Sequence, residues 1–441
     1  MISTLFINGQ VYKNNQLQPL NIGIDQESGK IVYVGTEIPE ANQNIDCTGL
    51  TILPGMIDTQ VHFRDPGANH KEDLETGSRS AALGGITTFF DMPNTTPSTT
   101  DKKELRYKIE MAQDKCITNY GFFIGATETN LEDIKAVVGL DGCCGVKIFL
   151  GSSTGDLLLE NKEIIKKMFQ EIPLMFSIHS EDEQIMRANK AKLVNPTVMD
   201  HYKWRSKESA MSSTKKIVEI AKSANKKIHV LHISTAEEVD YLIGHQQNAT
   251  FEITPQHLHL HAPECYEKFG TFAQMNPPIR EKYHQDRLWR AIKNNECAII
   301  GSDHAPHTID EKNRPYPDSP SGIPGVQTIF PLMLNASLEG KLTLNQLVKY
   351  MCENPVAVFK LKNKGEISED FDGDLTIVDL NGTSKIKNQD LASRVGWTPF
   401  DGFPLKGKVS MTVVRGTIVM KDGKIITTPN ESNKRPIQVY F

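Results

Sequence analysis

The chain has 441 residues, 39% hydrophobic and 23% charged, which is enough for one large domain and a smaller one with a sizeable buried core. Its formal net charge of -5 comes from interspersed signs, which excludes the basic footprint of a nucleic-acid binder and a polybasic membrane patch. A small molecule is the expected partner, with neither nucleic acid nor membrane.

The N-terminal MISTLFINGQVYKNN has no basic stretch leading into an apolar one, and no run approaches bilayer-spanning length, so neither export nor anchoring is expected. The seven cysteines are odd in number and form no C-x-x-C, as in a reduced, cytoplasmic protein without a cysteine zinc knuckle.

From about residue 2 to 53, the segments TLFINGQVY, NIGID, IVYVG and TILPG lie between Asn, Gly and Glu-Ser-Gly turn signals and predict small antiparallel strands. From Pro54 the texture becomes apolar strands alternating with helical stretches, the pattern of a parallel α/β fold. Eight strands are predicted, at GMIDTQVHF, GITTFFDMP, GFFIGAT, GVKIFL, LMFSIHS, KIHVLHIS, TFEITPQ and AIIGSDHA. Helical candidates between them include LETGSRSAALG, TNLEDIKAVVG, KEIIKKMFQ, SAMSSTKKIVEIAKSAN and TAEEVDYLIGH. A (β/α)8 TIM-type barrel is the natural closed arrangement of such units, with a doubly wound open sheet as the alternative. After about residue 366, GDLTIVDL and GKVSMTVVRGTIVMKDGKII return to short strands with Asn-Gly and Asp-Gly turns. The expected organisation is a small β-sandwich domain made of residues 1–53 plus 367–441, with a barrel of residues 54–366 inserted between. ENKEIIKK and DEKNR read as solvated faces, and no fixed-period repeat is present.

Barrel enzymes place their chemistry at the C-terminal ends of the strands, so the polar residues found there are informative. Strand one ends in Gln60, Val61 and His62 with Arg64 beyond, and strand two in Asp91 and Asn94. Strand four carries Lys147, strands five and six His179 and His232, and strand eight Asp303. A single histidine at a strand end is ordinarily a hydrogen-bonded structural residue, but imidazoles and a carboxylate converging on one face suit one or two Zn2+ ions. Lys147 is the most diagnostic member, because lysine is rarely buried unpaired. Either a carboxylate pairs with it, or desolvation favours its neutral amine, which can capture CO2 as a carbamate that bridges two metals.

PGMIDTQVHFRDPG, DMPNTTP, GVKIFLGSSTG, IHSE, HVLHIST, MNPPIR, GSDHAPH and SGIPGVQT follow one another along nearly the whole chain. With these motifs the sequence resembles the amidohydrolase superfamily and, among its cyclic amidohydrolases, the dihydroorotases. The resemblance implies a dinuclear zinc site, with His62 and Asp303 on one metal, His179 and His232 on the other, and carboxylated Lys147 between. It also implies reversible hydrolysis of the cyclic amide of (S)-dihydroorotate to N-carbamoyl-L-aspartate, in pyrimidine biosynthesis. One departure stands out, because such enzymes open with His-x-His and here Gln60 occupies the first position. Its amide oxygen is a poorer zinc ligand than imidazole, so the metal nearer His62 is expected to be held more weakly.

On this reading a water acidified by the metal attacks the ring carbonyl, and Asp303 acts as general base and then general acid. Arg64 matches a ring carboxylate in bidentate geometry, unless it is a surface arginine paired with Asp65. Asn94 could add an amide hydrogen bond, and by resemblance Asn276 and His307 complete the pocket. Residues 151–155, GSSTG, suit a loop that closes over ligand, with Thr154 as a donor, or an ordinary βα turn. His257, His259 and His261 alternate as on one side of a strand remote from the ligands, and His70, His201, His245 and His284 read as surface residues. The resemblance suggests a homodimer. The competing readings are a catalytically silent scaffold, for instance for an aspartate carbamoyltransferase partner, which Gln60 favours, and a dihydropyrimidinase, hydantoinase or allantoinase.

Overall fold

The computed structural model describes residues 1–151 and 157–440. Its centre is a sheet of eight parallel strands paired in sequence order. They are β1 (Met56–Val61), β2 (Ile86–Asp91), β3 (Asn119–Gly125), β4 (Cys143–Phe149), β5 (Phe176–His179), β6 (Ile228–Val230), β7 (Ala249–Ile253) and β8 (Ile299–Ile300). Every residue of β1 to β5 is buried, as in a parallel sheet covered on both faces, which explains why these strands are rich in apolar residues on both sides. The ladder of β8 is short, and closure beyond it rests on a parallel bridge between Val61 and His304, with the His62 amide donating to His304 O at 2.7 Å. Asp58 reinforces the seam, its carboxylate accepting from the backbone N–H of Ser302 at 3.0 Å and of Gln60 at 3.2 Å. The result is a TIM-like barrel rather than the open doubly wound sheet.

Helices cover the outside. Leu74–Leu83 starts at a capping box of Asp73 and Thr76, and Lys102–Lys115 is capped by Asp101, each cap supplying about 1 kcal/mol to its helix. Two predicted helices are trimmed to Leu131–Ala136 and Ala236–Ile243. The predicted strand KIHVLHIS contracts to Ile228–Val230, so His232 sits beyond the ladder.

Two further sheets lie outside the barrel. Lys30–Gly35, Asn21–Asp25, Thr4–Ile7 and Gln43–Asp46 form a four-stranded sheet. A seven-stranded sheet combines both ends of the chain, with Thr51–Pro54 pairing antiparallel to Leu375–Lys385. Phe6, Ile22 and Ile24 of the first sheet pack against Ile52, Leu375 and Val413 of the second. The expectation of purely antiparallel N-terminal strands is corrected here, since Thr4–Ile7 pairs parallel with Gln43–Asp46 and Gln10–Lys13 parallel with Thr51–Pro54. Near this junction Asp372 is buried among Lys30, Lys364, Arg415 and Arg435. All seven cysteines are buried free thiols, and among the described residues no helix is long and apolar enough to cross a membrane.

Candidate functional site

At the C-terminal ends of the barrel strands, Gln60, His62, Arg64, Lys147, His179, His232 and Asp303 converge on one polar cavity of about 20 Å3. Asn276 and Ser321 line this cavity and also an outer one of about 520 Å3, which has room for a small ring. Three of the residues, Arg64, His232 and Asp303, have left-handed backbone with φ of 63°, 38° and 45°. Such strain in non-glycine residues costs about 1–3 kcal/mol each and gathers where function dictates the backbone.

The predicted metal ligands form two pairs. His62 Nε2 lies 3.3 Å from Asp303 Oδ1, and His179 Nδ1 lies 3.1 Å from His232 Nε2. Among the described residues no three His, Cys, Asp or Glu side chains are grouped to hold one metal ion, so the expected set does not stand ready-made. Each pair lacks a third donor of those types.

The outer contacts of the imidazoles nevertheless prepare their inner nitrogens for a cation. His179 Nε2 donates to Glu181 Oε2 at 2.8 Å, which leaves the Nδ1 lone pair facing His232. Glu181 in turn accepts from Arg205 Nε at 3.0 Å. Burial opposes the charge of Glu181, but Arg205 and His179 overcome it and hold the carboxyl well below the usual carboxylate range. His62 Nδ1 donates to Asn94 Oδ1 at 2.7 Å, so its Nε2 lone pair faces the Asp303 carboxylate. Burial, with Arg64 and Lys147 nearby, keeps His62 neutral by pushing its pKa well below the ordinary value. An inward lone pair with an outward N–H on an acceptor is the usual arrangement of a metal-binding imidazole.

Lys147 is 1% exposed, and among the described residues its Nζ has no hydrogen-bond partner. It lies 4.6 Å from the centre of the Phe149 ring. Burial lowers its pKa to about 7, with Asp303 and Glu252 pulling the other way. Burial likewise raises Asp303 to about 7, opposed by Lys147. The residues present therefore fit a metal centre that uses a modified lysine: two donor pairs, each one ligand short, and an orphaned amine at the same cavity.

Arg64 is not the surface residue of the bland alternative. Asp65 is engaged by Lys115 and Asn69 instead, while Arg64 is 7% exposed and makes no ion pair among the described residues. Its Nε donates to Pro306 O at 3.4 Å. His307 Nε2 lies 3.3 Å from Arg64 Nη2, but this is not a hydrogen bond. Lys71 Nζ donates to His307 Nδ1 at 3.1 Å, so the ring proton is on Nε2, where it is given to Ser321 O at 3.0 Å. The outer edge of the guanidinium is left for a ligand.

Other expectations change. Asn94, expected on the substrate, uses its amide oxygen on His62 and does not line the cavity. Of the alternating histidines, His257 and His259 lie on a short helix, Pro255–His259, which Thr254 caps and Pro255 starts, and His261 follows it. His257 there is near enough to His232 to lower its pKa. His201 and His284 are 1% exposed, not surface residues, and Lys312 in DEKNR is fully buried. Of the GSSTG loop, positions 152–155, including Thr154, lie outside the described residues. Glu181 and Arg205 were missed as supports of His179; the only signal for Glu181 was its place in IHSE.

Comparison with known proteins decides the family. Residues 51–419 match the amidohydrolase family. The chain is 33% identical over 411 residues to a dihydroorotase of Methanothermobacter thermautotrophicus, spanning 92% of both chains. It is 34% identical over 429 residues to the dihydroorotase of Pyrococcus abyssi, spanning 96% of this chain and 97% of that one. The chain is a dihydroorotase-like member of the amidohydrolase family. Among solved structures, the L-hydantoinase (dihydropyrimidinase) of Arthrobacter aurescens superposes with a TM-score of 0.94 at 26% identity, covering 99% of this chain and 100% of that one. The dihydropyrimidinase of Brevibacillus agri gives 0.90 at 25% identity, over 98% and 97%. This amidohydrolase thus shares its barrel and flanking sheets with the hydantoinases and its nearer sequence likeness with the dihydroorotases.

Proposed function

We propose that the chain is a zinc-dependent dihydroorotase that interconverts (S)-dihydroorotate and N-carbamoyl-L-aspartate. Arg64 carries this reading. Among the described residues this buried guanidinium makes no close ion pair, though Asp303 and Asp91 act on it from a distance, and dihydroorotate brings a ring carboxylate that fits it in fork geometry. Dihydropyrimidines and hydantoins without that group leave the charge buried and unmatched.

His62 with Asp303 and His179 with His232 would each hold one metal, and a carbamate on Lys147 would supply the third donor that each pair lacks. The buried, unpartnered amine of Lys147 is suited to capturing CO2. Bound zinc would supply Lewis acidity, polarising the ring carbonyl and lowering the pKa of a coordinated water. Asp303 takes a proton from the attacking water and passes it to the departing amide nitrogen, a role that suits a buried carboxylate lining the cavity. Arg64 and Asn276 orient the ring, while His307 holds Ser321 O on the adjoining wall. Gln60 makes the His62 position the weaker of the two for metal.

The backbone likeness to L-hydantoinase favours a second reading, a hydantoinase or dihydropyrimidinase. Incubating the purified protein with zinc and bicarbonate on dihydroorotate, dihydrouracil, hydantoin and allantoin separates the two. Ring opening of dihydroorotate above the others supports the proposal, and preference for an uncharged ring overturns it.

A further inference from the structure

We infer that His201 is a positioning residue for substrate recognition: it fixes the side-chain amide of Asn276 so that Nδ2 faces the cavity as a donor. The inference rests on the dihydroorotase reading for the identity of the ligand, but not for the geometry.

His201 starts the short helix His201–Trp204, away from every predicted ligand in sequence, and is 1% exposed. Its Nε2 is 3.0 Å from Met275 O and 3.1 Å from Asn276 Oδ1, and its Nδ1 is 3.3 Å from the Tyr316 hydroxyl. A backbone carbonyl only accepts, so the proton must be on Nε2, and Nδ1 then accepts from Tyr316. Burial, with Arg205 nearby, lowers the ring's pKa to about 3, which keeps it neutral and this tautomer single. The same Nε2–H meets Asn276, so the amide must present its oxygen to His201, because the flipped amide would set N–H against N–H. Nδ2 is thereby turned away from His201. Asn276 lines the inner cavity with Arg64 and Asp303 and the outer one with His201, so a donor there meets a carbonyl or carboxylate oxygen of a bound ring.

The backbone of this wall is secured separately. Lys312 Nζ donates to Gln274 O at 3.1 Å, Pro320 O at 2.9 Å and Gly322 O at 3.1 Å, which ties the two segments flanking Asn276 and Ser321 together. Removing the imidazole therefore frees the amide without releasing the loop.

The test measures dihydroorotate kinetics, on protein purified without chelator, for wild type, His201→Leu, His201→Gln, Asn276→Ala and the His201→Leu/Asn276→Ala double variant. Loss of a buried donor is worth about 1–3 kcal/mol, so His201→Leu should raise KM about tenfold or more while kcat stays near wild type. His201→Gln keeps a donor near the Nε2 position and should restore KM, and the double variant should be no worse than Asn276→Ala alone. Wild-type KM in His201→Leu, equal damage by Leu and Gln, or additive effects in the double variant would each overturn the inference. If His201→Leu does not fold, Tyr316→Phe should show a smaller KM-selective loss, and no change there overturns it. Crystal structures give an activity-independent readout, with the Asn276 amide rotated in His201→Leu and retained in His201→Gln. Should wild type fail to open dihydroorotate, the function falls, and the amide orientation still decides the role of His201.

Discussion

Gln60 is hydrogen-bonded directly to Asp303: its Nε2 donates to Oδ1 at 3.0 Å, and its own buried Oε1 has no partner among the described residues. The amide therefore engages the same carboxylate oxygen that faces His62. It also offers a weaker donor than the imidazole expected at that position. Titrating the purified protein with a chelator should remove one metal well before the other, and Gln60→His should narrow the gap. Two full equivalents of zinc with equal resistance in the wild type contradict this.

Asp303 is assigned the proton transfers. Asp303→Asn should lower turnover at least ~100-fold, the usual scale for losing a general acid/base. Turnover close to wild type, with metal content unchanged, removes Asp303 from that role.

Lys147 should depend on dissolved CO2. Protein prepared without bicarbonate should lose metal and activity together and regain both when bicarbonate and zinc return, whereas Lys147→Met should respond to neither. Labelled bicarbonate should give a carbamate carbon signal in wild type alone; the same signal in Lys147→Met would place the modification elsewhere.

The Asp372 cluster predicts an acid-sensitive seam. Burial opposes ionisation of Asp372, but Lys364, Arg435, Arg415 and Lys30 lower its folded pKa from 3.8 to about 2. A lowered folded pKa contributes stability that is full above the unfolded pKa and is lost as pH falls through the folded one, here between about pH 4 and 2. Asp372→Asn should cost on the order of 2 kcal/mol or more in denaturant unfolding near neutral pH, with the deficit shrinking toward pH 3. A deficit independent of pH would assign the effect to packing.

The barrel was legible because buried parallel strands such as Ile86–Asp91 are rich in apolar and β-branched residues and are bounded by turn signals and helical stretches. The convergence of His62, Asp303, His179 and His232 on one cavity was legible because they stand at or just beyond strand ends. What local pattern could not supply was the partner across space. Nothing near Thr4–Ile7 announces a parallel pairing with Gln43–Asp46, a contact made across four intervening strands. QHLHLHAP alternates like a strand, yet the cap at Thr254 and Pro255 win locally and make a helical turn. His201 looked like an exposed histidine because its burial depends on Met275 and Tyr316, which are far away in the chain. Asn94 was found by its motif, but the contact of its amide oxygen with His62 is one that only geometry supplies.

The guanidinium of Arg64, buried and without a close ion pair among the described residues, should select a ring bearing a carboxylate. The most direct measurement compares kcat/KM on dihydroorotate and dihydrouracil for wild type and Arg64→Met, with zinc content followed in both. The account predicts that wild type strongly prefers dihydroorotate and that Arg64→Met raises KM for it, removing most of that preference without loss of zinc. An unchanged preference in Arg64→Met, or a wild type that opens dihydrouracil as readily as dihydroorotate, would contradict it.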